Sequence, residues 1–209
     1  MIYEAVIENA ENLEHALARG AGRIELCDNM AAGGTTASIG VAKHVLSRCR
    51  SLGIPVMAMI RPRGGGYAYF ADEIQIMLDD MAAMREIGMD GAVFGAITAD
   101  WRLDMPAIEV LSKAAGPMQK VFHRAFDHIA ESERLGAIDA LAGLGFARIL
   151  THGGDDGSGI MQNAPKIREY IKYAAGRITM LPIGGINAEN RDAVASATGA
   201  GELHGTKIV

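Results

Sequence analysis

Short apolar, β-branched segments recur along this chain, and each is followed by a break containing Gly, Asn or Asp and then by a longer amphipathic stretch. Eight such segments predict strands, at 2–7, 23–26, 55–60, 91–96, 119–123, 147–151, 178–183 and 202–205. Apolar residues at three- and four-residue spacing predict helices at 10–19, 39–51, 72–87, 105–115, 131–144, 159–175 and 188–198. A glycine typical of a helix stop lies just past each predicted helix.

Strands that alternate with helices indicate an α/β fold with a parallel sheet, and about eight units without a linker favour one (β/α)₈ TIM-type barrel domain over residues 1–209. An open doubly wound sheet is the alternative, but no G-x-G-x-x-G follows the first strand. The barrel is small, and its final covering helix is absent or displaced, because the printed sequence stops just after the eighth strand. We therefore expect a second subunit to cover that flank, in a homodimer or higher homo-oligomer.

Composition and charge exclude several classes of protein. Hydrophobic residues make up 49 % and charged residues 22 % of the 209 residues, which is typical of a globular interior. A formal net charge of −5 has the wrong sign for a nucleic-acid partner. No long apolar segment or signal-like N-terminus occurs, so we expect no membrane association and a cytoplasmic location. Two cysteines cannot form a disulfide framework, which also fits a reducing compartment.

The carboxyl ends of barrel strands build the active face, and two carboxylates lie on the first two strands. Glu25 alternates with Ile24 and Leu26 and so shares a face with Cys27. A carboxylate inside a strand is costly unless it is paired, so Glu25 is either in an ion pair with a barrel arginine or a general base or metal ligand. Glu4 on the first strand is a similar catalytic candidate.

Basic groups follow the third and fifth strands. In IRPRGGG, Arg61 and Arg63 are candidates for binding a carboxylate or phosphate, and Arg61 has the alternative of only neutralising Glu25 or Glu4. In FHRAFD, His123 is a catalytic candidate whose imidazole Asp127 could orient, and Arg124 is a candidate for binding substrate.

The last two strands end in LPIGGIN and LHGTK, positions where many barrels bind phosphate. Gly184, Gly185, His204 and Lys207 are therefore candidates for binding substrate, whereas His152 after the sixth strand is a ligand or merely solvated. No pattern indicates a nucleotide or flavin cofactor.

Sulfur-containing side chains offer a different chemistry. Cys27 at the active face could bind a soft metal as a thiolate, with Met57 and Met59 as further soft ligands, although core packing is the simpler interpretation of the two methionines. Cys49 lies on a helix and is expected to pack. No C-x-x-C or C-x-C accompanies Cys27.

Seven segments, in this order, resemble the CutC family of copper homeostasis proteins: RIELCDNMAAGGTTASIG, IRPRGGG, DGAVFGAIT, FHRAFD, RILTHGG, GGINAEN and ELHGTKIV. The resemblance runs from Glu4 to Lys207 and implies a TIM barrel, a cytoplasmic location and a role in copper homeostasis through copper(I) binding. The chain departs from the family pattern in its first strand, where Val6 stands in place of a cysteine. That removes one thiol from beside Cys27.

Two functions remain open. One is copper(I) handling by Cys27 with Met57, Met59 or a histidine. The other is an enzyme that acts on a small anionic, phosphorylated or carboxylated, sugar-like substrate, with Glu25 or His123 as the base and arginines holding the anion. An interaction scaffold without catalysis is a third class, which would depend on neither Cys27 nor Arg61.

Overall fold

A computed structural model describes residues 1–154 and 157–209 and shows eight parallel strands that form a nearly closed barrel. The sheet order is β7-β6-β5-β4-β3-β2-β1-β8, and a parallel bridge between Asn187 and Lys207 joins the segments that follow β7 and β8. This is the predicted TIM-type (β/α)₈ fold. The strands are β1 Ile2–Glu8, β2 Arg23–Cys27, β3 Val56–Met59, β4 Gly91–Phe94, β5 Gln119–Phe122, β6 Arg148–Thr151, β7 Thr179–Pro182 and β8 Glu202–Gly205.

Helices connect successive strands, as the amphipathic segments predict. Three predicted helices are shorter at their starts, because turns or loops replace the first residues. The first helix begins at Leu13 rather than at residue 10. A 3₁₀ turn at Glu131–Glu133 precedes the fifth helix, and the seventh begins at Arg191. The helices are α1 Leu13–Ala18, α2 Ile39–Arg50, α3 Ala71–Glu86, α4 Met105–Ala115, α5 Arg134–Gly143, α6 Ile160–Ala174 and α7 Arg191–Thr198. None of the helices among the described residues has the length and apolar character needed to cross a membrane.

Strand β2 shows how the alternation of residues builds two cores. Ile24 and Leu26 are fully buried between the sheet and the helices, in the larger apolar cluster. Arg23, Glu25 and Cys27 take the alternate positions and face the barrel interior. The interior also holds a smaller apolar cluster formed by side chains of β1 to β7: Val6, Cys27, Met57, Met59, Val93, Val121, Leu150, Leu181 and Ile183. The buried acidic and basic groups therefore lie among apolar side chains.

The flank beside β8 is covered by the chain itself, which corrects the premise that this flank needs a partner. Leu203 and Ile208 are fully buried. Helix α7 packs there, since the Tyr3 hydroxyl donates a hydrogen bond to Asp192 at 3.2 Å and Arg191 lies over the Tyr3 ring at 4.1 Å. With α7 in this position no eighth helix is required. The homo-oligomer stays a prediction, which light scattering at micromolar concentration can test.

Candidate functional site

A cavity of about 520 Å³ opens at the carboxyl ends of the strands, where a TIM barrel carries its functional groups. We call it the central cavity. Its polar lining comes from β2, β8 and the loops after β3, β5, β7 and β8. The lining includes Glu25, Cys27, Met30, Met59, Arg61, Tyr67, His123, Arg124, Gly184, Gly185, His204 and Lys207.

Below the central cavity, an ion-pair network closes the barrel. The Arg23 guanidinium, 2 % exposed, donates to Glu4 and to Glu202 Oε2, the latter at 2.7 Å. Arg148 donates to the same Glu202 oxygen at 2.7 Å and to Gln119 Oε1 at 2.7 Å. We call Glu4, Arg23, Arg148 and Glu202 the floor network. Burial opposes the ionisation of Glu4, but the hydrogen bond from His204 and the charge of Arg23 outweigh it and lower its pKa to about 2.

Glu25 lies just above the floor network and has no arginine partner, so the ion-pair interpretation of this residue is wrong. Its Oε1 accepts a long hydrogen bond from the Cys27 thiol at 3.5 Å, whereas its Oε2 is buried without a hydrogen-bond partner. Burial raises the pKa of Glu25 to about 7; the charge of His204 opposes this and the charge of Glu4 adds to it. Glu25 can therefore gain or lose a proton near neutral pH, as a general base requires.

His204 connects the two carboxylates. Its Nδ1 donates a hydrogen bond to Glu4 Oε1 at 2.7 Å and lies 3.9 Å from Glu25 Oε2. Burial would lower the pKa of His204, but the charge of Glu25 and the hydrogen bond to Glu4 raise it overall. His204 therefore interacts directly with both predicted catalytic carboxylates, and Glu4 serves chiefly to hold His204 and Arg23.

His123 presents a neutral imidazole to the central cavity. Its Nδ1 accepts a hydrogen bond from the Ala125 backbone N–H at 3.3 Å, which places the proton on Nε2. Burial and the charge of Arg61 together lower the pKa of His123 to about 3. Nε2 is buried without a hydrogen-bond partner among the described residues, so its N–H can donate to a bound oxygen.

Arg61 is largely occupied by backbone carbonyls. Its guanidinium donates to the carbonyls of Ala32 at 3.0 Å, Gly34 at 2.9 Å and Gly65 at 2.6 Å, and lies over the Tyr67 ring. The alternative in which Arg61 only neutralises Glu25 or Glu4 is therefore wrong. Its Nε atom is buried without a hydrogen-bond partner. Arg61 fixes two loops and adds positive charge to the wall of the central cavity.

Arg124, Lys207 and two glycines border the opening. Gly184 has a φ of +93°, and a Cβ there would lie 2.5 Å from His152 Cδ2, so only glycine fits against the histidine ring. Gly184, Gly185 and Arg124 also line a second cavity of about 570 Å³ beside the start of α6, where His152 lies. Arg61, Arg124, Lys207, Gly184 and Gly185 therefore all line the central cavity.

Sulfur atoms occupy one side of the central cavity. Cys27 is 1 % exposed, and burial together with the charge of Glu25 raises its pKa well above the usual value. Met59 and Met30 line the same cavity. Met57 is fully buried in the interior apolar cluster and is not among the lining residues, which agrees with its interpretation as a core residue. Cys49 is a buried free cysteine within the larger apolar cluster.

Two predicted site residues lie away from the central cavity. The oxygens of Asp127 accept hydrogen bonds from the Thr151 hydroxyl at 2.5 Å and the His152 N–H at 2.7 Å, so Asp127 joins two loops and does not orient His123 as expected. Arg63 pairs with Glu73 at the start of α3 and donates to loop carbonyls, so the structure places it in loop and helix capping.

Sequence reasoning did not identify Met30 and Tyr67 as lining residues. Met30 begins a 3₁₀ turn after β2, and Tyr67 lies in the loop after β3. In such segments neither strand periodicity nor helical spacing predicts which way a side chain points. It also missed the floor network, although Arg23, Arg148 and Glu202 are polar residues at positions that alternate with apolar ones, and that alternation is a usable signal.

The fold and the site define a (β/α)₈ barrel protein with a buried carboxylate–imidazole site in its mouth. The model of the CutC family matches residues 1–209, and the chain belongs to this family. It is 44 % identical to "family protein CutC" of Enterococcus faecalis, with all of both chains covered. It is also 39 % identical to "Copper homeostasis protein cutC homolog" of Homo sapiens, with 97 % of this chain and 72 % of that protein covered.

Solved structures agree with the fold. The crystal structure of the "Putative Copper Homeostasis Protein CutC" from Streptococcus agalactiae matches with a TM-score of 0.97 at 40 % identity over all of both chains. Deoxyribose phosphate aldolase from Aeropyrum pernix matches with a TM-score of 0.69 at 10 % identity, covering 98 % of this chain and 85 % of that chain, which shows a shared barrel alone.

Proposed function

We propose that the central cavity binds a small anionic organic molecule and that residues lining the cavity remove a proton from this molecule. One observation carries this proposal: the unpartnered Glu25 Oε2 and the unpartnered His123 Nε2 both belong to residues that line the same cavity. A carboxylate that titrates near neutral pH and a neutral imidazole N–H form a base and an electrophile, the pair needed to remove a proton from a carbon beside a carbonyl group.

The other lining groups favour an anion. Arg61, Arg124 and Lys207 bring positive charge to a cavity whose lining otherwise includes Glu25 as its only carboxylate among the described residues. In the proposed reaction Glu25 accepts the proton, His123 Nε2 donates a hydrogen bond to the carbonyl oxygen, and the cations hold a carboxylate or phosphate group. A protein that only binds and carries a soft metal ion does not require carboxylate, imidazole and guanidinium groups in the same cavity.

Hydrogen–deuterium exchange tests this function without knowledge of the natural substrate. The protein is incubated in D₂O with pyruvate, glyceraldehyde 3-phosphate and ribose 5-phosphate as probes, and deuterium at the α-carbon is followed by NMR. We expect exchange above the buffer rate with at least one probe, and we expect Glu25→Gln to reduce it about 100-fold or more. His123→Ala should reduce it similarly.

Binding of the same probes is measured by saturation-transfer NMR, with His44→Ala, an exposed histidine on α2, as the matched control. Glu25→Gln should still bind the probe that exchanges. Exchange that persists unchanged in Glu25→Gln, or a wild type that neither binds nor exchanges any probe, would contradict the proposal.

A second candidate function is copper(I) binding as part of copper homeostasis, which the names of the relatives suggest. The observation that favours it is the placement of Cys27, Met30 and Met59 along one cavity. A thiolate with two thioethers is a soft ligand set that suits Cu(I). The buried thiol must lose its proton on binding, and Glu25 Oε1 lies 3.5 Å from the sulfur to accept it. The free cysteines also support a reducing, cytoplasmic location.

An anaerobic competition for Cu(I) against a chromogenic chelator tests this candidate. If it is right, the reduced protein takes about one equivalent of Cu(I), and Cys27→Ser loses it. Cys49→Ser, which changes the other buried thiol, should bind like the wild type. A wild type that takes no copper from the chelator, or a Cys27→Ser variant that still takes it, contradicts copper binding at this site.

A further inference from the structure

Glu4, Glu25 and His204 bring three metal-ligating atoms together at the bottom of the central cavity. Glu4 Oε1 lies 2.7 Å from His204 Nδ1, and His204 Nδ1 lies 3.9 Å from Glu25 Oε2. All three ligand atoms lie within 4.8 Å of one another, and all three residues are buried. Donors on one Zn²⁺ ion at about 2.0–2.2 Å are separated by roughly 3–3.5 Å, so small side-chain shifts bring these atoms around one ion.

The balance of buried charge favours a cation at this point. Glu4, Glu25 and Glu202 face Arg23 and Arg148, so the carboxylates exceed the guanidiniums by one, and either the His204 imidazolium or a metal ion that replaces its proton balances the difference. The carboxylate that no arginine neutralises is Glu25, which is 3 % exposed and whose Oε2 has no hydrogen-bond partner among the described residues. A buried polar atom without a partner is costly, and a bound metal ion would supply that partner.

Neighbouring contacts hold the proposed ligands in place. Arg23 binds the other oxygen of Glu4, Oε2, which leaves Oε1 directed at His204. Hydrogen bonds from neighbouring residues to a carboxylate that binds the metal are typical of metal centres. Glu25 and His204 also line the central cavity, so a bound ion would keep open positions toward it.

We propose that Glu4 Oε1, Glu25 Oε2 and His204 Nδ1 bind one divalent metal ion of the Mn²⁺ or Zn²⁺ type. Two carboxylates and one imidazole form a donor set of oxygen and nitrogen that suits such ions rather than Cu(I). The proton on His204 Nδ1 leaves to solvent when the metal binds. This site is distinct from the sulfur atoms of Cys27, Met30 and Met59. With the ion bound, Glu25 Oε2 is a ligand, so the proposed proton transfer by Glu25 belongs to the metal-free protein.

Metal titration of the full chain, stripped with a chelator, tests the proposal. Mn²⁺ binding is followed by electron paramagnetic resonance and Zn²⁺ binding by calorimetry, both without any organic ligand. We expect one equivalent to bind to the wild type, and an affinity at least about 100-fold lower in Glu25→Gln and His204→Ala. Glu14→Gln and His44→Ala, which change exposed groups, should keep wild-type affinity.

The variants are first checked by circular dichroism. If His204→Ala does not fold, the near-isosteric Glu25→Gln decides. The metal-dependent rise in Tm is then compared as well, and it is expected in the wild type and in His44→Ala and absent in Glu25→Gln. A wild type that binds neither ion stoichiometrically, or a Glu25→Gln variant that binds like the wild type, overturns the proposal. Failure of proton exchange with intact metal binding would instead contradict only the proposed function.

Discussion

Replacing Arg23 by Met is expected to lower the free energy of unfolding by about 3–5 kcal/mol, because it leaves the buried Glu4 without its arginine and removes one of the two arginines that pair with the partly buried Glu202. The Arg23 side chain is 2 % exposed and bonds to both Glu4 and Glu202. Arg148 still neutralises part of Glu202, but Glu4 keeps only its hydrogen bond to His204. Urea unfolding followed by circular dichroism measures the change.

The matched control is Arg48→Met. Arg48 forms an ion pair with Glu14 at 2.7 Å, but both side chains are well exposed to solvent. Water solvates both charges when such a pair is lost, so the urea midpoint should not change measurably. Equal changes in Arg23→Met and Arg48→Met would show that the floor network does not contribute to stability in the way its burial indicates.

The stability of the metal-free protein is expected to fall as the pH rises through about 7, because of Glu25. Burial raises its pKa from 4.5 in the unfolded chain to about 7 in the folded one. A carboxyl with a raised pKa stabilises the fold fully below pH 4.5, and this contribution is lost as the pH rises through 7. A shift of that size corresponds to about 3 kcal/mol. The raised pKa of His204 acts in the same direction.

Glu25→Gln removes the titration of Glu25, since the amide does not titrate, and it also removes the charge that raises the pKa of His204. Urea midpoints measured from pH 5 to pH 8.5 should fall in the wild type and fall much less in Glu25→Gln. Of the neighbours, Glu4 titrates near pH 2 and the Cys27 thiol above this range, so neither alters the comparison. Parallel pH profiles of the two proteins would contradict the assignment of the transition to Glu25.

The alternation of strands and helices was readable in the sequence because each element buries one face. In β2, Ile24 and Leu26 predict the face against the helices, and Glu25 and Cys27 the face toward the interior, as observed. What packs against the flank beside β8 could not be read from the sequence, because the packing of α7 over Tyr3 and the burial of Ile208 depend on contacts between the two ends of the chain.

The partners of charged residues could not be read from spacing. An arginine partner was one of two alternatives for Glu25, but the register between β1 and β2 sets Glu4 beside Arg23. Asp127 follows His123 by four residues, yet the 3₁₀ turn at Arg124–His128 directs its carboxylate to Thr151 and His152. The number of residues between two positions does not predict which groups their side chains contact, because these contacts depend on how neighbouring strands and loops are placed.

The sequence by itself determined the barrel, the membership of the CutC family and the set of polar residues at the strand ends. Local periodicity and residue type suffice for those, since each element must bury its apolar face. Only the tertiary structure decided which of those residues share the central cavity and which carboxylate lacks a partner. Residues as distant in sequence as Glu4 and His204 meet only when β8 pairs with β1, and in that arrangement Glu25 Oε2 is left without a hydrogen-bond partner among the described residues.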